Sequence, residues 1–184
     1  MRIVGGRLRG RTLAGPRTNA IRPTSDRLRE TLFNILAHSY GLPQPETRVL
    51  DLFAGTGALG LEAVSRGAAS ALFVETSVEG RGLIRSNIEN LSLTGVTRIL
   101  RRDATALGRA GTIPSFDLVF CDPPYGKGLG ERALASAAAG GWLKPEALCV
   151  LEERANIDAA PPPGLEILDR RETGDSQIVF VRWR

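Results

Sequence analysis

The chain has 184 residues, of which 42% are apolar, and this is enough to bury one full hydrophobic core in a single domain. No uninterrupted apolar stretch reaches about 18 residues, and the N-terminus lacks the apolar segment of a secretory signal, so we exclude a membrane span and expect a cytoplasmic protein. The formal net charge is +4, and two cysteines and one histidine argue against a disulfide framework or a zinc site.

The positive charge is concentrated at the N-terminus. Residues 1–30 hold eight arginines against two acidic residues, a net charge of +6, so the rest of the chain sums to −2. Arginines set among glycines beside a nearly neutral domain are typical of a surface that contacts nucleic-acid phosphates. A solvated arm without a partner is the alternative at this point.

A short hairpin and a helix are predicted within this basic segment. Apolar and basic side chains alternate over residues 2–13 around a Gly-Gly turn, which favours a twisted hairpin with an arginine face. Helix-starting residues at 22–26 precede apolar residues at helical spacing and predict a helix over 25–39. His38, near its end, is expected at the surface rather than in catalysis.

Strands and helices alternate strictly from residue 48 onward, as repeated β-α units require. The predicted strands are Val49–Phe53, Ala71–Glu75, Arg98–Leu100, Phe116–Cys121 and Leu148–Leu151. The predicted helices lie at about 58–66, 78–92, 104–110 and 128–139. Right-handed crossovers between such units give an α/β fold with a doubly wound, mainly parallel sheet. Cys121 and Cys149 lie inside these strands and are expected to be buried thiols.

The C-terminus predicts an antiparallel hairpin that closes the sheet at seven strands. Leu165–Arg171 and Gln177–Trp183 are strand-like and flank the turn residues Thr173-Gly174-Asp175. We therefore expect a basic N-terminal extension of residues 1–40, followed by the α/β domain over residues 41–184.

A glycine loop follows the first predicted strand and opens a helix. In this context Gly55-x-Gly57-x-x-Gly60 lets the backbone approach a ligand closely at the carboxyl edge of the sheet. The pattern alone fits a dinucleotide, with its pyrophosphate at the helix N-terminus. Glu75, at the end of the second strand, can bind two ribose hydroxyls whichever nucleotide is present.

Two further acids favour S-adenosylmethionine over a dinucleotide. Asp51, just before the loop, would repel a pyrophosphate but suits a ligand that carries ammonium and sulfonium groups. Asp103, after the third strand, can accept a hydrogen bond from an adenine amino group. Helix capping remains the alternative for each of them.

The fourth strand ends in Asp122-Pro123-Pro124-Tyr125. Asp122 can accept a hydrogen bond from an exocyclic amine, the prolines fix the backbone, and Tyr125 offers a flat face on which a base can stack. Taken alone, the segment fits a simple turn equally well, because proline stops strands and aspartate favours turns.

The chain resembles the class I S-adenosylmethionine-dependent methyltransferases that act on exocyclic amines, and among them the RsmD family. The segments that carry the resemblance are Arg2–Gly6 with Gly10-Arg11, Arg22–Asn34, Leu52–Ala63 and Asp122–Tyr125. The resemblance as a whole covers residues 1 to about 152. Ser77 and Thr173 depart from the family pattern, which has an acid at the first place and an aromatic residue at the second.

The resemblance implies a Rossmann-like enzyme that transfers a methyl group from S-adenosylmethionine to N2 of one guanine in 16S ribosomal RNA, free or within the assembling small subunit. The catalytic residues are expected to be Asp122, Pro123, Pro124 and Tyr125. The cofactor-binding residues are expected to be Asp51, Phe53, Ala54, Gly55, Thr56, Gly57, Glu75, Asp103 and Ala104. The RNA-binding residues are expected to be Arg7, Arg9, Arg11, Arg22, Thr24, Arg27 and Arg29. We expect a monomer without a bound metal.

Three other functions stay open at this stage. An N6-adenine methyltransferase shares the end of the fourth strand, although asparagine is common there in place of Asp122. A non-catalytic RNA-binding protein on the same fold would not need the intact acids. A nicotinamide-dependent oxidoreductase would explain the glycine loop but neither the arginines nor the Asp-Pro-Pro-Tyr segment.

Overall fold

The computed structural model describes residues 1–184 and has a seven-stranded sheet at its centre. The strands are β1 (Arg48–Leu52), β2 (Ser70–Val74), β3 (Thr97–Leu100), β4 (Phe116–Cys121), β5 (Leu143–Arg154), β6 (Leu165–Thr173) and β7 (Ser176–Trp183). Their spatial order is β3-β2-β1-β4-β5-β7-β6. The first five strands of this order run parallel, whereas β7 is antiparallel to both β5 and β6. This confirms the predicted sheet and its C-terminal hairpin.

Four helices accompany the sheet: α1 (Asp26–Tyr40), α2 (Ala58–Ser65), α3 (Val78–Asn90) and α4 (Leu129–Ala139). Local capping explains the limits of α1, because the Ser25 hydroxyl accepts the Leu28 N–H at 3.1 Å and Gly41 ends the helix in a left-handed conformation. His38 is exposed in the last turn of α1, as predicted. No helix of the protein has the length and apolar character needed to cross a membrane.

Two predicted elements differ in the structure. The helix predicted over 104–110 is wrong, since only a single 3-10 turn forms at Ala104–Ala106. Gly108 and Gly111 take positive φ angles of 69° and 62°, which a right-handed helix excludes. Strand β5 begins at Leu143, well before the predicted start, and a positive φ at Glu146 interrupts its early part.

The predicted N-terminal hairpin is reduced to one isolated bridge between Arg2 and Thr12. Backbone bonds still join the two arms, among them the Ile3 N–H to the Arg11 carbonyl at 2.9 Å. Ile3 is buried in the core, and the Arg7 N–H bonds the Ser65 carbonyl of α2 at 2.9 Å. The segment is therefore fastened to α2 instead of forming a free-standing ribbon.

Two hydrophobic clusters cover the two faces of the sheet. One contains residues of the N-terminal extension and of α1, α2 and α3, and the other contains residues of α4. Ile3 and Leu36 of the extension lie in the first cluster, and Cys121 and Cys149 are buried free thiols in the second. The extension thus shares its core with the α/β domain.

A buried ion cluster ties the extension to α2. The fully buried Glu62 carboxylate accepts the Val4 and Gly5 N–H groups, each at 2.9 Å, and the Arg29 guanidinium at 3.0 Å. Arg66 completes the cluster, at 2.8 Å from the other Glu62 oxygen. Buried charges persist only when they are paired in this way.

Arg29 was expected to bind RNA, and this prediction is wrong. The side chain is fully buried, and besides Glu62 its guanidinium bonds the Thr24 carbonyl at 3.1 Å and the Asp26 carboxylate at 2.8 Å. Because its charge is used inside the protein, Arg29 holds the extension in place and cannot reach a phosphate.

Candidate active site

A cleft of about 620 Å³ opens where β1 lies between β2 and β4. This is the topological switch point of the sheet, the usual ligand position in open α/β folds, and the volume is typical of small-molecule sites. The cleft is lined by the ends of β1, β2 and β4 and is roofed by residues 19–24 of the extension.

The glycine loop combines backbone freedom with close packing. Gly55 and Gly57 take positive φ angles of 60° and 80°, and α2 begins directly after Gly57. At Gly60 an added Cβ would lie 2.5 Å from the Phe73 ring, so only glycine brings α2 this close to the sheet. Of the predicted cofactor-binding residues, Phe53, Ala54, Gly55 and Thr56 line the cleft, whereas Gly57 lies beside it at the start of α2.

Glu75 bridges the glycine loop and the end of β2. Its two carboxylate oxygens accept the Gly55 N–H at 2.8 Å and the Ser77 N–H at 2.9 Å. Each oxygen keeps a further lone pair for a ligand hydroxyl on the cleft side. Ser77, the departure from the family pattern, caps α3 by accepting the Gly80 N–H at 2.9 Å.

Asp51 is a buried carboxyl on the floor of the cleft. It accepts the Gly60 N–H at 3.0 Å. Burial, with the charge of Glu75 adding to it and the Gly60 bond opposing it, raises the pKa of Asp51 to about 8. A cationic ligand group at this place would stabilise the charged carboxylate.

Asp103 and Ala104 do not line the cleft. Asp103 is exposed and caps the short turn after β3, since its carboxylate accepts the Thr105 N–H and hydroxyl, both at 2.8 Å. These bonds lower the pKa of Asp103. Of the two roles open from the sequence, the structure shows the cap.

Asp122 lies at the end of β4, on the opposite side of the cleft from Glu75. The residue is half-buried, and its carboxyl accepts the Thr24 hydroxyl at 3.1 Å. Desolvation first, and then the neighbouring Glu152 carboxyl, hold the pKa of Asp122 well above its usual range, against the opposing effect of Thr24. Pro123 and Pro124 continue the wall beside it.

Tyr125 is held rigidly at the rim of the cleft. Its hydroxyl donates to the Glu152 carboxylate and lies 3.0 Å from the Ser176 hydroxyl. Desolvation and the Glu152 carboxylate raise the pKa of Tyr125 above its ordinary value. The guanidinium carbon of Arg22 is 4.7 Å from the ring centroid and that of Arg154 is 6.0 Å from it, so two cations lie against the ring that was predicted to stack on a base.

Residues 14–24 form a strap that crosses the cleft beside Glu79. Asn87 of α3 accepts the Ala14 N–H at 2.7 Å, and the Glu79 carboxylate accepts the Arg17 N–H at 2.7 Å and the Thr18 hydroxyl at 2.6 Å. At its end, Thr24 bonds Asp122. The strap therefore joins the extension to both walls of the cleft.

The predicted RNA-binding arginines other than Arg29 are exposed: Arg7, Arg9, Arg11, Arg22 and Arg27. The Arg11 guanidinium bonds the Asn90 carbonyl at 2.5 Å, and none of the five is paired with a carboxylate within the chain. Their charges are free to meet an anionic surface.

Four side chains that line the cleft or contact Tyr125 were not predicted from the sequence: Glu79, Glu152, Arg154 and Ser176. Glu152 and Arg154 follow the apolar run of β5, at the same edge of the sheet as Asp122. Their position after a parallel strand could have indicated that they lie near the cleft. Ser176 sits in the C-terminal hairpin and Glu79 in the first turn of α3, where nothing in the sequence marks them.

Comparisons with known proteins agree with this geometry. The family described as conserved hypothetical protein 95 matches residues 1–182. The chain is 42% identical over 183 residues to the ribosomal RNA small subunit methyltransferase D of Escherichia coli strain K12, covering 98% of this chain and 87% of that protein.

Solved structures show the same fold over nearly the whole chain. The Escherichia coli protein yhhF is similar with a TM-score of 0.82 and 34% identity, covering 100% of this chain and 98% of its own. A 16S rRNA N2 methyltransferase from Thermus thermophilus, solved with AdoMet and guanosine, has a TM-score of 0.67 and covers 94% of this chain and 46% of its own. At 22% identity it is similar in fold alone.

Proposed function

This chain belongs to the family described as conserved hypothetical protein 95, the RsmD family, and we propose that it transfers a methyl group to the exocyclic N2 of a guanine in 16S ribosomal RNA. The observation that carries the proposal is the placement of Asp122, a carboxyl in an Asp-Pro-Pro-Tyr segment, across one cleft from the glycine loop and Glu75. Such a cleft offers one wall to a nucleoside cofactor and the other to an amine.

The residues of the cofactor wall fit S-adenosylmethionine. The carboxylate oxygens of Glu75 suit ribose hydroxyls, the buried Asp51 suits a cationic amino acid group, and the backbone of residues 53–57 forms a close wall for the nucleoside. When bound, S-adenosylmethionine supplies an electrophilic methyl group. Asp103 and Ala104 have no role in this assignment, because they are not among the residues that line the cleft.

Positioning of the acceptor amine is the main task of the opposite wall. The N2 of guanine is a poor nucleophile, since its lone pair is delocalised into the ring. Asp122 accepts hydrogen bonds from the amine, fixes its direction and stabilises the positive charge that develops on nitrogen. Its raised pKa suits Asp122 to take up the proton that the amine then loses.

The target nitrogen lies on the Watson–Crick edge, so the guanine must be unpaired or flipped out to reach Asp122. Tyr125, fixed at the rim through its hydroxyl, holds Arg22 and Arg154 against its ring on that side. The exposed arginines of the extension bind the phosphate backbone of the RNA and so offset the cost of flipping the guanine. RNA binding should therefore weaken steeply as the salt concentration rises. We further propose that the enzyme acts as a monomer in the cytoplasm, on free 16S rRNA or on the assembling small subunit.

The test is methyl transfer by the purified protein to unmodified 16S rRNA, followed by nuclease digestion and mass mapping. We expect one N2-methylguanosine. N6-methyladenosine in its place would overturn the choice of acceptor, and no incorporated methyl group on RNA or subunit would overturn the function.

A matched variant separates chemistry from binding. Asp122→Ala should abolish turnover and leave S-adenosylmethionine binding measurable by calorimetry, because Asp122 belongs to the acceptor wall. Loss of cofactor binding in that variant would contradict its assignment.

A further inference from the structure

A groove of about 400 Å³ adjoins the cleft on its acceptor side. It shares Arg22, Tyr125 and Arg154 with the cleft and continues along Asn156 and Asp175. None of the residues of the cofactor wall lines it. The groove therefore begins where a base held at Asp122 would connect to the rest of its strand.

The two arginines of this groove keep all their side-chain donors free. Both are exposed, and neither guanidinium makes a hydrogen bond or an ion pair within the chain, in contrast to Arg170 and Arg171, which pair with carboxylates. The only donor that Arg154 uses is its backbone N–H, which bonds the Glu153 carboxylate at 2.7 Å.

Tyr125 orients both cations without consuming those donors. Contact with the ring uses the guanidinium and the π electrons, while the N–H groups at the guanidinium edge stay available. The ring is itself fixed by Glu152 and Ser176 through its hydroxyl. Two guanidinium groups pre-positioned on one rigid ring suit a phosphate, which guanidinium binds through paired N–H donors.

We infer that Arg22 and Arg154 form a binding site for a phosphodiester next to the target nucleotide of single-stranded RNA. The oxygens of Asn156 and Asp175, further along the groove, suit the ribose hydroxyls of the same nucleotide. The site holds the strand at the point where the guanine leaves the stack. This inference rests on the proposed function and names a subsite for its substrate.

RNA binding by Arg154→Ala tests the site directly. A 16S rRNA fragment that contains the target guanine is titrated by fluorescence anisotropy at several salt concentrations. We expect the variant to bind about tenfold more weakly and the salt slope to fall by about 1, because one phosphate contact is lost. Arg154→Lys, which keeps the charge, should recover part of the affinity.

The matched control is Arg98→Ala. Arg98 is also exposed and lies on β3, at the edge of the sheet away from the groove. Its removal deletes the same charge and should leave the salt slope unchanged. Binding of S-adenosylmethionine by both variants verifies that they are folded.

A chemical change in the RNA identifies the contacted phosphate. A neutral methylphosphonate is placed at each linkage that flanks the target guanine. At one of them it should weaken binding by the wild type and have no further effect on Arg154→Ala, because the two changes remove the same contact. Equal losses in both proteins at every linkage, or equal losses from Arg98→Ala and Arg154→Ala, would overturn the site.

Failure of the phosphodiester site can be distinguished from failure of the proposed function, because RNA binding is measured without turnover. A wild type that shows the coupled linkage but transfers no methyl group overturns the function alone. A wild type that methylates guanine without any Arg154-dependent linkage overturns the site alone.

Discussion

At the scale of single residues, the most unusual feature is a pair of carboxyls at the ends of neighbouring strands. Strands β4 and β5 pair in parallel with Cys121 opposite Leu151, so the next residues, Asp122 and Glu152, lie beside each other. A second carboxyl this close makes the ionisation of Asp122 less favourable and helps to raise its pKa. Glu152 therefore acts on the chemistry of Asp122 without lining the cleft.

The variant Glu152→Gln should lower the pKa of Asp122. Glutamine can still accept the Tyr125 hydroxyl bond, but it removes the like charge that raises the pKa. Carbon NMR of the labelled carboxyls gives the measurement, and it needs no substrate. Ser176→Ala, a neutral change in the same network, should leave the titration of Asp122 where it is in the wild type. An Asp122 signal that titrates identically in wild type and Glu152→Gln would contradict the coupling.

At the scale of elements, the approach of α2 to the sheet depends on one missing methyl group. Gly60→Ala would place a Cβ against the buried Phe73 ring and should destabilise the protein by about 1–3 kcal/mol. Gly82→Ala in α3 is the control, because open space surrounds that position. There alanine should stabilise the helix by about 0.5–1 kcal/mol.

Urea unfolding of the two variants measures this contrast. Opposite signs for Gly60→Ala and Gly82→Ala are the expected result. If Gly60→Ala were as stable as the wild type, the packing of α2 against Phe73 would be looser than the structure shows.

The elements that sequence could predict are those whose pattern is local. Alternating apolar strands and capped helices predicted the parallel sheet. Ser25 marks the start of α1 through its side-chain cap, and Gly41 marks its end through its left-handed backbone. The helix prediction over 104–110 was wrong because it gave the apolar spacing more weight than the helix-breaking effect of Gly108. The early part of β5 was missed because Lys144-Pro145-Glu146 has no strand character and joins the sheet only through its neighbours.

The same distinction applies to the candidate site: residues marked by a local pattern could be predicted, and those that depend on distant contacts could not. The glycine loop, Glu75 and Asp122 are recognisable because each follows its own strand. The fate of Arg29 was not predictable, since its partner Glu62 is 33 residues away and only the folded core brings them together. For Asp103, adenine binding and helix capping made equal chemical sense from the sequence. Which of the two occurs depends on the path of the chain after β3.

At the scale of the whole molecule, the Glu62 cluster makes the N-terminal extension part of the main fold. One carboxylate holds two backbone N–H groups of the extension, Arg29 of α1 and Arg66 at the end of α2. Exposed arginines carried on a loose arm would have to be ordered when they bind an anionic partner. Here the segment that bears them is already fixed.

Glu62→Ala should cost about 3–5 kcal/mol of unfolding free energy, because it removes the buried partner of the Arg29 guanidinium and leaves only the partly exposed Asp26. The control is Asp169→Ala, which breaks the exposed pair with Arg171 and should cost about 0–1 kcal/mol. Thermal and urea unfolding measure both variants. A Glu62→Ala protein as stable as Asp169→Ala would mean that the cluster does not hold the extension.

The strap over residues 14–24 has a thermodynamic consequence of its own. It is bonded to Glu79 on one side and to Asp122 on the other, so one short segment belongs to both walls of the cleft. If one ligand orders the strap, the second ligand loses less conformational entropy when it binds. By linkage, the factor by which cofactor tightens RNA binding must equal the factor by which RNA tightens cofactor binding. On the proposed function, we therefore expect the strap to couple the binding of cofactor to the binding of RNA.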